Sequence, residues 1–146
     1  MSSWKDMLRN YRHLRFGGKL AAARTSLEAA IEQLTEQEFS ELADLLNQLA
    51  RLSLEMKDPV AAEIAVTRAI EAEKRYGPPT VESDHMAAYH VMLAHTLRDQ
   101  NKYSEALIAL DRAIELYAQH VNLNDELIVN LNGLRASMES NRWREK

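Results

Sequence analysis

The sequence predicts an all-α fold, an array of helical hairpins, and three observations carry that expectation. First, the stretch KYSEALIALDRAIE (Lys102–Glu115) is written three times, with KLAAARTSLEAAIE (Lys19–Glu32) and DPVAAEIAVTRAIE (Asp58–Glu71) as its other copies. Ala23, Ala62 and Ala106 coincide, as do Leu27, Val66 and Leu110, then Ala30, Ala69 and Ala113, and each copy closes on Ile-Glu. The offsets of 39 and 44 residues lie in the range of stacked helical repeats. Second, 4 Gly and 3 Pro leave few breakers, which favours long helices over many short strands. Third, apolar residues recur every three or four positions between the turn signals, the periodicity of an amphipathic helix.

Each element follows from local signals. The first helix starts at Ser3, with Asp6 three residues on as a capping box, and carries Trp4, Met7, Leu8, Tyr11 and Leu14 on one side. Phe16-Gly17-Gly18 ends it, since glycine takes positive φ at little steric cost. The second helix covers about Lys19 to Leu34. Thr35-Glu36-Gln37-Glu38 is a capping box opening a third helix, about Glu36 to Met56, with Phe39, Leu42, Leu45, Leu46, Leu49 and Leu52 at helical spacing. At Asp58-Pro59 the aspartate caps free N–H groups and the proline gives up a hydrogen bond that a first-turn residue does not make. That fourth helix runs to about Tyr76 and stops at Gly77-Pro78-Pro79, and Thr80 to Asp84 is a loop or ragged start. A fifth helix reaches about Asp99, and Asn101-Lys102 turns the chain into a sixth, about Tyr103 to His120. Asn124 caps a seventh whose first turn holds Asp125 and Glu126, where the helix dipole favours acids. Its stripe is Leu127, Ile128, Leu131, Leu134 and Met138, Asn130, Asn132, Arg135, Glu139 and Asn141 stay wet, and NRWREK frays at the end.

Composition narrows the function classes. A chain of 146 residues makes about one domain and needs no covalent staple. Hydrophobic residues at 46% and charged residues at 27% are ordinary for a soluble domain and too apolar for disorder. Without cysteine there is neither a disulfide framework nor thiolate chemistry, which fits a reducing, cytoplasmic setting. MSSWKDMLRNYRHLR lacks the apolar core of a signal peptide, and no run approaches the roughly 18 apolar residues that span a bilayer. A net charge of −4 argues against general nucleic-acid binding, which rests on neutralising phosphates.

The alanines of the repeated stretch explain themselves. Ala62 and Ala69, or Ala106 and Ala113, are seven apart on one helix face with Val66 or Leu110 between them. Small side chains there let a partner helix approach closely, so stacked hairpins bury a core that no single unit could.

With these residues in hand the chain resembles the tetratricopeptide repeat proteins. The third unit carries the repeat's positions as His90, Leu93-Ala94, Leu97, Ala106, Leu110 and Ala113, and the second as Leu46, Leu49-Ala50, Ser53, Ala62, Val66 and Ala69. The first keeps Gly18, Ala23, Leu27 and Ala30 but places Asn10-Tyr11 where Leu-small is the pattern, and all three lack the proline that often ends a repeat. The join AIEAEKRYGPPTVESDHMAAYHVMLA (Ala69–Ala94) looks most like the longer repeats of kinesin light chains and their bacterial relatives. The resemblance covers about Met7 to Val121. It implies a right-handed superhelical solenoid of three hairpins forming one domain over residues 1–146, with repeats at about 4–34, 36–76 and 84–120 and a capping helix at about 125–140. The seventh helix would shield the last hairpin; an open end that dimerises is the alternative.

No active site emerges. His85, His90 and His95 are spaced by five, so each turns about 140° from the last and no helix face holds two of them as an i, i+4 metal pair would. Neither a nucleophile elbow nor a phosphate-binding glycine loop occurs, and acid pairs such as Glu36/Glu38 and Glu71/Glu73 point to different sides of a helix. No enzyme activity, cofactor or metal is expected.

The resemblance implies instead that the first helix of each hairpin lines a concave groove. Equivalent groove positions are Arg12, Arg51 and His95, with Arg15 and Arg98 one turn on, Asn47 and Val91 flanking, and Asn130 extending the row. A basic column in an acidic chain suits an acidic or C-terminal carboxylate-bearing segment, because arginine binds carboxylates through two parallel hydrogen bonds. Leu8 and Met92 stand where the clamp for chaperone tails wants polar or basic groups, so such tails are not the expected ligand. The expected function is a non-enzymatic adaptor or scaffold that takes a protein partner's peptide or helix in the groove. A helical-repeat protein that homo-oligomerises is the alternative.

Overall fold

The computed structural model describes residues 3–77, 84–122 and 124–145. Among them are seven α-helices and two short 3₁₀ segments, and no strand. The helices are α1 (Trp4–Phe16), α2 (Leu20–Glu32), α3 (Leu42–Glu55), α4 (Pro59–Tyr76), α5 (Asp84–Asp99), α6 (Tyr103–Ala118) and α7 (Glu126–Ser140). The 3₁₀ segments are Glu36–Glu41 and Arg142–Arg144. The chain divides into two compact units, Met1–Gly77 and Pro78–Lys146. In the first, α1 pairs with α2, α3 pairs with α4, and α2 packs on α3; in the second, α5 pairs with α6 and α7 covers α6. No described helix is long and apolar enough to cross a membrane.

The repeated stretch is the packing seam. All nine positions shared by the copies, from Ala23, Leu27 and Ala30 through Ala62, Val66 and Ala69 to Ala106, Leu110 and Ala113, are completely buried. The fold is thus an all-α, tetratricopeptide-like helical repeat. The first unit's core joins Leu8 and Tyr11 of α1 to Ala23 and Leu27 of α2 and Leu45 and Leu52 of α3. In the second, Ala94 and Leu97 of α5 meet Tyr103, Ala106 and Leu110 of α6 and Leu131 and Met138 of α7. The Asn10-Tyr11 departure has a local reason. Asn10 Nδ2 donates to Ser26 Oγ at 3.2 Å and Ser26 Oγ donates to the Met7 carbonyl at 2.8 Å, so polar bonds tie α1 to α2. The other hairpins put Leu49 and Ala65, or Leu93 and Ala109, at the same two positions.

The hairpin turns repeat as closely as the seam. Gly18, Lys57 and Asn101, again 39 and 44 apart, all sit at positive φ (78°, 63° and 61°). The next N–H groups, of Lys19, Asp58 and Lys102, donate back to the carbonyls of Leu14, Ser53 and Leu97 at 2.9 Å in each case. This is the Schellman closure, in which a left-handed residue lets the chain satisfy the last carbonyls of the helix it leaves. Gly17 stays at negative φ, so of the glycine pair Gly18 alone takes the left-handed position. Gly77 ends α4 for a different reason: with φ at −80°, an added Cβ would stand 2.5 Å from the Glu73 carbonyl oxygen. The stop at Pro78-Pro79 and the loop beyond it fall on residues 78–83, outside the described residues.

Several boundaries differ from expectation. Both capping boxes form, at Ser3/Asp6 and Thr35/Glu38, but the second opens a 3₁₀ segment and the α-helix begins only at Leu42. Glu38 also accepts a hydrogen bond from Trp4 Nε1, which binds the start of α1 to this segment. The cap of α7 is Asp125, whose Oδ1 accepts from the Leu127 N–H at 2.9 Å, not Asn124. On α7, Ile128, Leu131 and Met138 are buried as a capping helix requires, whereas Leu127 turns outward. Arg135 stays partly solvent-exposed and also joins Asp111 of α6, through Nε at 2.6 Å and Nη2 at 3.4 Å, so it is a strut between helices as well as a solvated charge. The described part of NRWREK, residues 141–145, is tied back to α6: Glu145 accepts from the Ser104 N–H and hydroxyl at 2.9 and 2.8 Å.

Candidate functional site

In the first unit α1 presents Arg12 and Arg15 while α3 presents Asn47 and Arg51, and the three arginines all act on Tyr11. The Tyr11 ring is buried, and burial raises its hydroxyl pKa; Arg15, Glu55, Arg51 and Arg12 all act on that hydroxyl electrostatically. The three arginines thus all lower the pKa of the same phenol, against the effect of its burial. They are not equivalent. Arg15 donates through Nη2 and Nε to Glu55, and that hydrogen bond raises the guanidinium pKa, so its charge is answered within the protein. Arg12 and Arg51 are exposed and have no carboxylate partner among the described residues. Asn47 is only 7% exposed, and its Oδ1 is buried with no hydrogen-bond partner. An unmet buried acceptor of this kind costs about 1–3 kcal/mol.

In the second unit α5 carries Val91, His95 and Arg98. Val91 packs partly buried against the core of α6 and α7, so its contribution is largely structural. Burial lowers the His95 pKa, the neighbouring Arg98 lowers it further, and Asp99 opposes both, which leaves the imidazole neutral at pH 7. His95 there can donate or accept one hydrogen bond but brings no charge. Arg98 Nε donates to Asp99 Oδ1 at 3.2 Å. Asn130 is exposed on α7. The net positive potential of the candidate residues is thus concentrated at Arg12 and Arg51.

Two members of the cluster, Tyr11 and Glu55, were not among the groove positions expected from sequence. Tyr11 occupies the small position of the Leu-small pair, and that misfit is the signal that marks it. Glu55 lies 40 residues from Arg15, so only the approach of the two side chains in the folded first unit reveals it as a counter-ion.

The α5–α6 hairpin decides the comparison with known families. Residues 87–120 match the family model described as Tetratricopeptide repeat. The match takes in nearly all of α5 and the whole of α6, including the αL turn at Asn101 and the seam at Ala106, Leu110 and Ala113. No curated protein matches the chain. The other two hairpins share the matched one's turn geometry and buried positions without falling inside the match.

Proposed function

We propose that the chain is a non-enzymatic protein-interaction module, an adaptor or scaffold, that receives an acidic peptide or helix along its first-of-pair helices. Tetratricopeptide repeats generally mediate protein–protein contacts, and stacked helix pairs offer extended binding surfaces. The observation that carries the acidic character is the pair Arg12 and Arg51, exposed and without carboxylate partners, beside the unmet carbonyl oxygen of Asn47. Two guanidinium groups would take a carboxylate each. A preformed helical scaffold binds without ordering itself, so the partner supplies most of the entropy cost.

The same proposal makes residues 1–146 one domain, with repeats like the longer ones of kinesin light chains and their bacterial relatives, acting in the cytoplasm, where a chain without cysteine loses nothing to reduction. Capture from lysate on immobilised protein, followed by mass spectrometry, tests the function. Arg12→Glu with Arg51→Glu should abolish capture while helicity and Tm stay at wild-type values, and capture by the double variant at wild-type level would sink the groove. One cooperative melting transition is expected for a single domain.

A further inference from the structure

Away from the arginine column, two clefts follow one another along the α3–α4 seam of the first unit. The larger, about 520 Å³, has Leu42, Leu46 and Ala72 at its floor and Arg68, Lys74 and Arg75 at its rim. The smaller, about 280 Å³, continues past Arg68 over Leu49, Ala65 and Ile64. Arg68 lines both, so together they form one trough. Leu42, Leu46 and Leu49 lie at intervals of four and three on α3, and Ile64, Arg68, Ala72 and Arg75 do the same on α4, so each helix contributes one straight edge. Ile64 to Tyr76 spans roughly 18 Å of helix axis, or a little over three turns. At the far end Tyr76 rests against Phe39 with ring centroids 5.0 Å apart, and Arg75 lies over the Tyr76 ring.

Charge selects the occupant. Arg68, Lys74 and Arg75 are all exposed, and among the described residues Glu71 is the single carboxylate lining the larger cleft. This is a local excess of cations in a chain whose net charge is −4. The apolar floor is narrow and Ile64 stands 59% exposed beside it. A long shallow trough with an apolar floor and a cationic rim is the complement of an amphipathic helix whose polar flank is acidic. We propose that this trough docks an acidic amphipathic helix of a partner protein, with leucine-sized side chains on Leu42, Leu46 and Ala72 and carboxylates on Arg68, Lys74 and Arg75. The surface is built from α3 and α4, with Arg24 and Glu28 of α2 beside the smaller cleft, and shares no residue with the Arg12/Arg51 column.

The probe is a synthetic helical peptide of four turns with leucines on one face and glutamates elsewhere, set against the same peptide with every glutamate replaced by lysine. Amide chemical shifts and fluorescence anisotropy on the full chain read the outcome. The glutamate peptide should move the amides of residues 42–49 and 64–76, bind more weakly as salt rises, and lose at least about tenfold in affinity with Arg68→Glu and Arg75→Glu. Arg12→Glu with Arg51→Glu should leave the peptide-induced shifts at residues 64–76 unchanged, which separates this surface from the column. No shift at millimolar peptide, equal binding of the lysine peptide, or shifts confined to α1 and α5 would overturn the proposal. So would a dimer in sedimentation equilibrium that the Arg68→Glu/Arg75→Glu variant abolishes, because a second copy of the chain would then be the occupant.

Discussion

Lys57 holds a backbone conformation that its side chain resists. At φ 63° it does the work that Gly18 does at φ 78°, with Asn101 between them in tolerance, since asparagine visits the left-handed region more readily than lysine. Lys57→Gly should therefore stabilise the first unit by about 0.5–1 kcal/mol, the relief of a left-handed L-residue less the extra freedom glycine brings to the unfolded chain. A urea titration in which the variant's midpoint falls at or below wild type would refute it. His95 supplies a second prediction at this scale. Its folded pKa lies below the unfolded value of 6.5, so below about pH 6.5 the unfolded chain binds a proton that the folded chain refuses. Stability accordingly rises with pH through that window and falls as the solution is acidified from pH 7 towards the folded pKa. His95→Gln should flatten this part of the profile, measured as unfolding free energy between pH 7 and 5, and an unchanged slope would contradict the assignment. Legibility at this scale was uneven. Alignment of the copies put Arg12 and Arg51 at equivalent positions, but the neutrality of His95 and the Arg15–Glu55 pair depend on burial and on an approach between helices that no local pattern encodes.

Among the elements, α6 shows how a helix start can be satisfied from a distance. Its N-cap position is Lys102, whose side chain makes no capping bond, so the first-turn N–H groups must find an acceptor elsewhere. Glu145 provides it by accepting from both the N–H and the hydroxyl of Ser104, while Arg142 Nε donates to the same hydroxyl at 3.1 Å. The bonds from Ser104 hold the Glu145 carboxyl below its ordinary 4.5. With its folded pKa depressed, the contribution of Glu145 is fully present above the unfolded value and is lost as pH falls through the folded one. Glu145→Ala should speed hydrogen exchange at the Ser104 amide and leave the buried amides of Leu110 and Ala113 protected. Exchange at Ser104 indistinguishable from wild type would show that the strap does not cap. NRWREK reads as a polar tail because the acceptor's partner lies 41 residues away. The 3₁₀ start at Glu36–Glu41 was hidden for a related reason: a capping box specifies where a helix begins, and the hydrogen-bond pitch of its first turns is left to packing.

For the molecule as a whole, the architecture was legible because hairpin stacking imposes the same steric demand at every repeat. Small residues recur wherever two backbones approach, and that demand leaves its mark in the sequence at intervals of 39 and 44 residues. Recognition imposes no such recurrence, so the α3–α4 trough became visible only once helices were set against each other. The steric demand yields a test across all three copies. Ala23, Ala62 and Ala106 are equally and completely buried, so each has no space for a larger side chain. Ala23→Leu, Ala62→Leu and Ala106→Leu should each cost about 1–3 kcal/mol by overpacking, whereas Ile108→Ala, on the exposed face of α6 at 72% exposure, should change stability by less than about 0.5 kcal/mol. Chemical denaturation of the four variants compares these directly. If the repeats are one structural solution used three times, the three alanine positions will group together and apart from Ile108. A large spread among them, with one tolerating leucine at no cost, would mean that the copies share a sequence pattern without sharing a packing role.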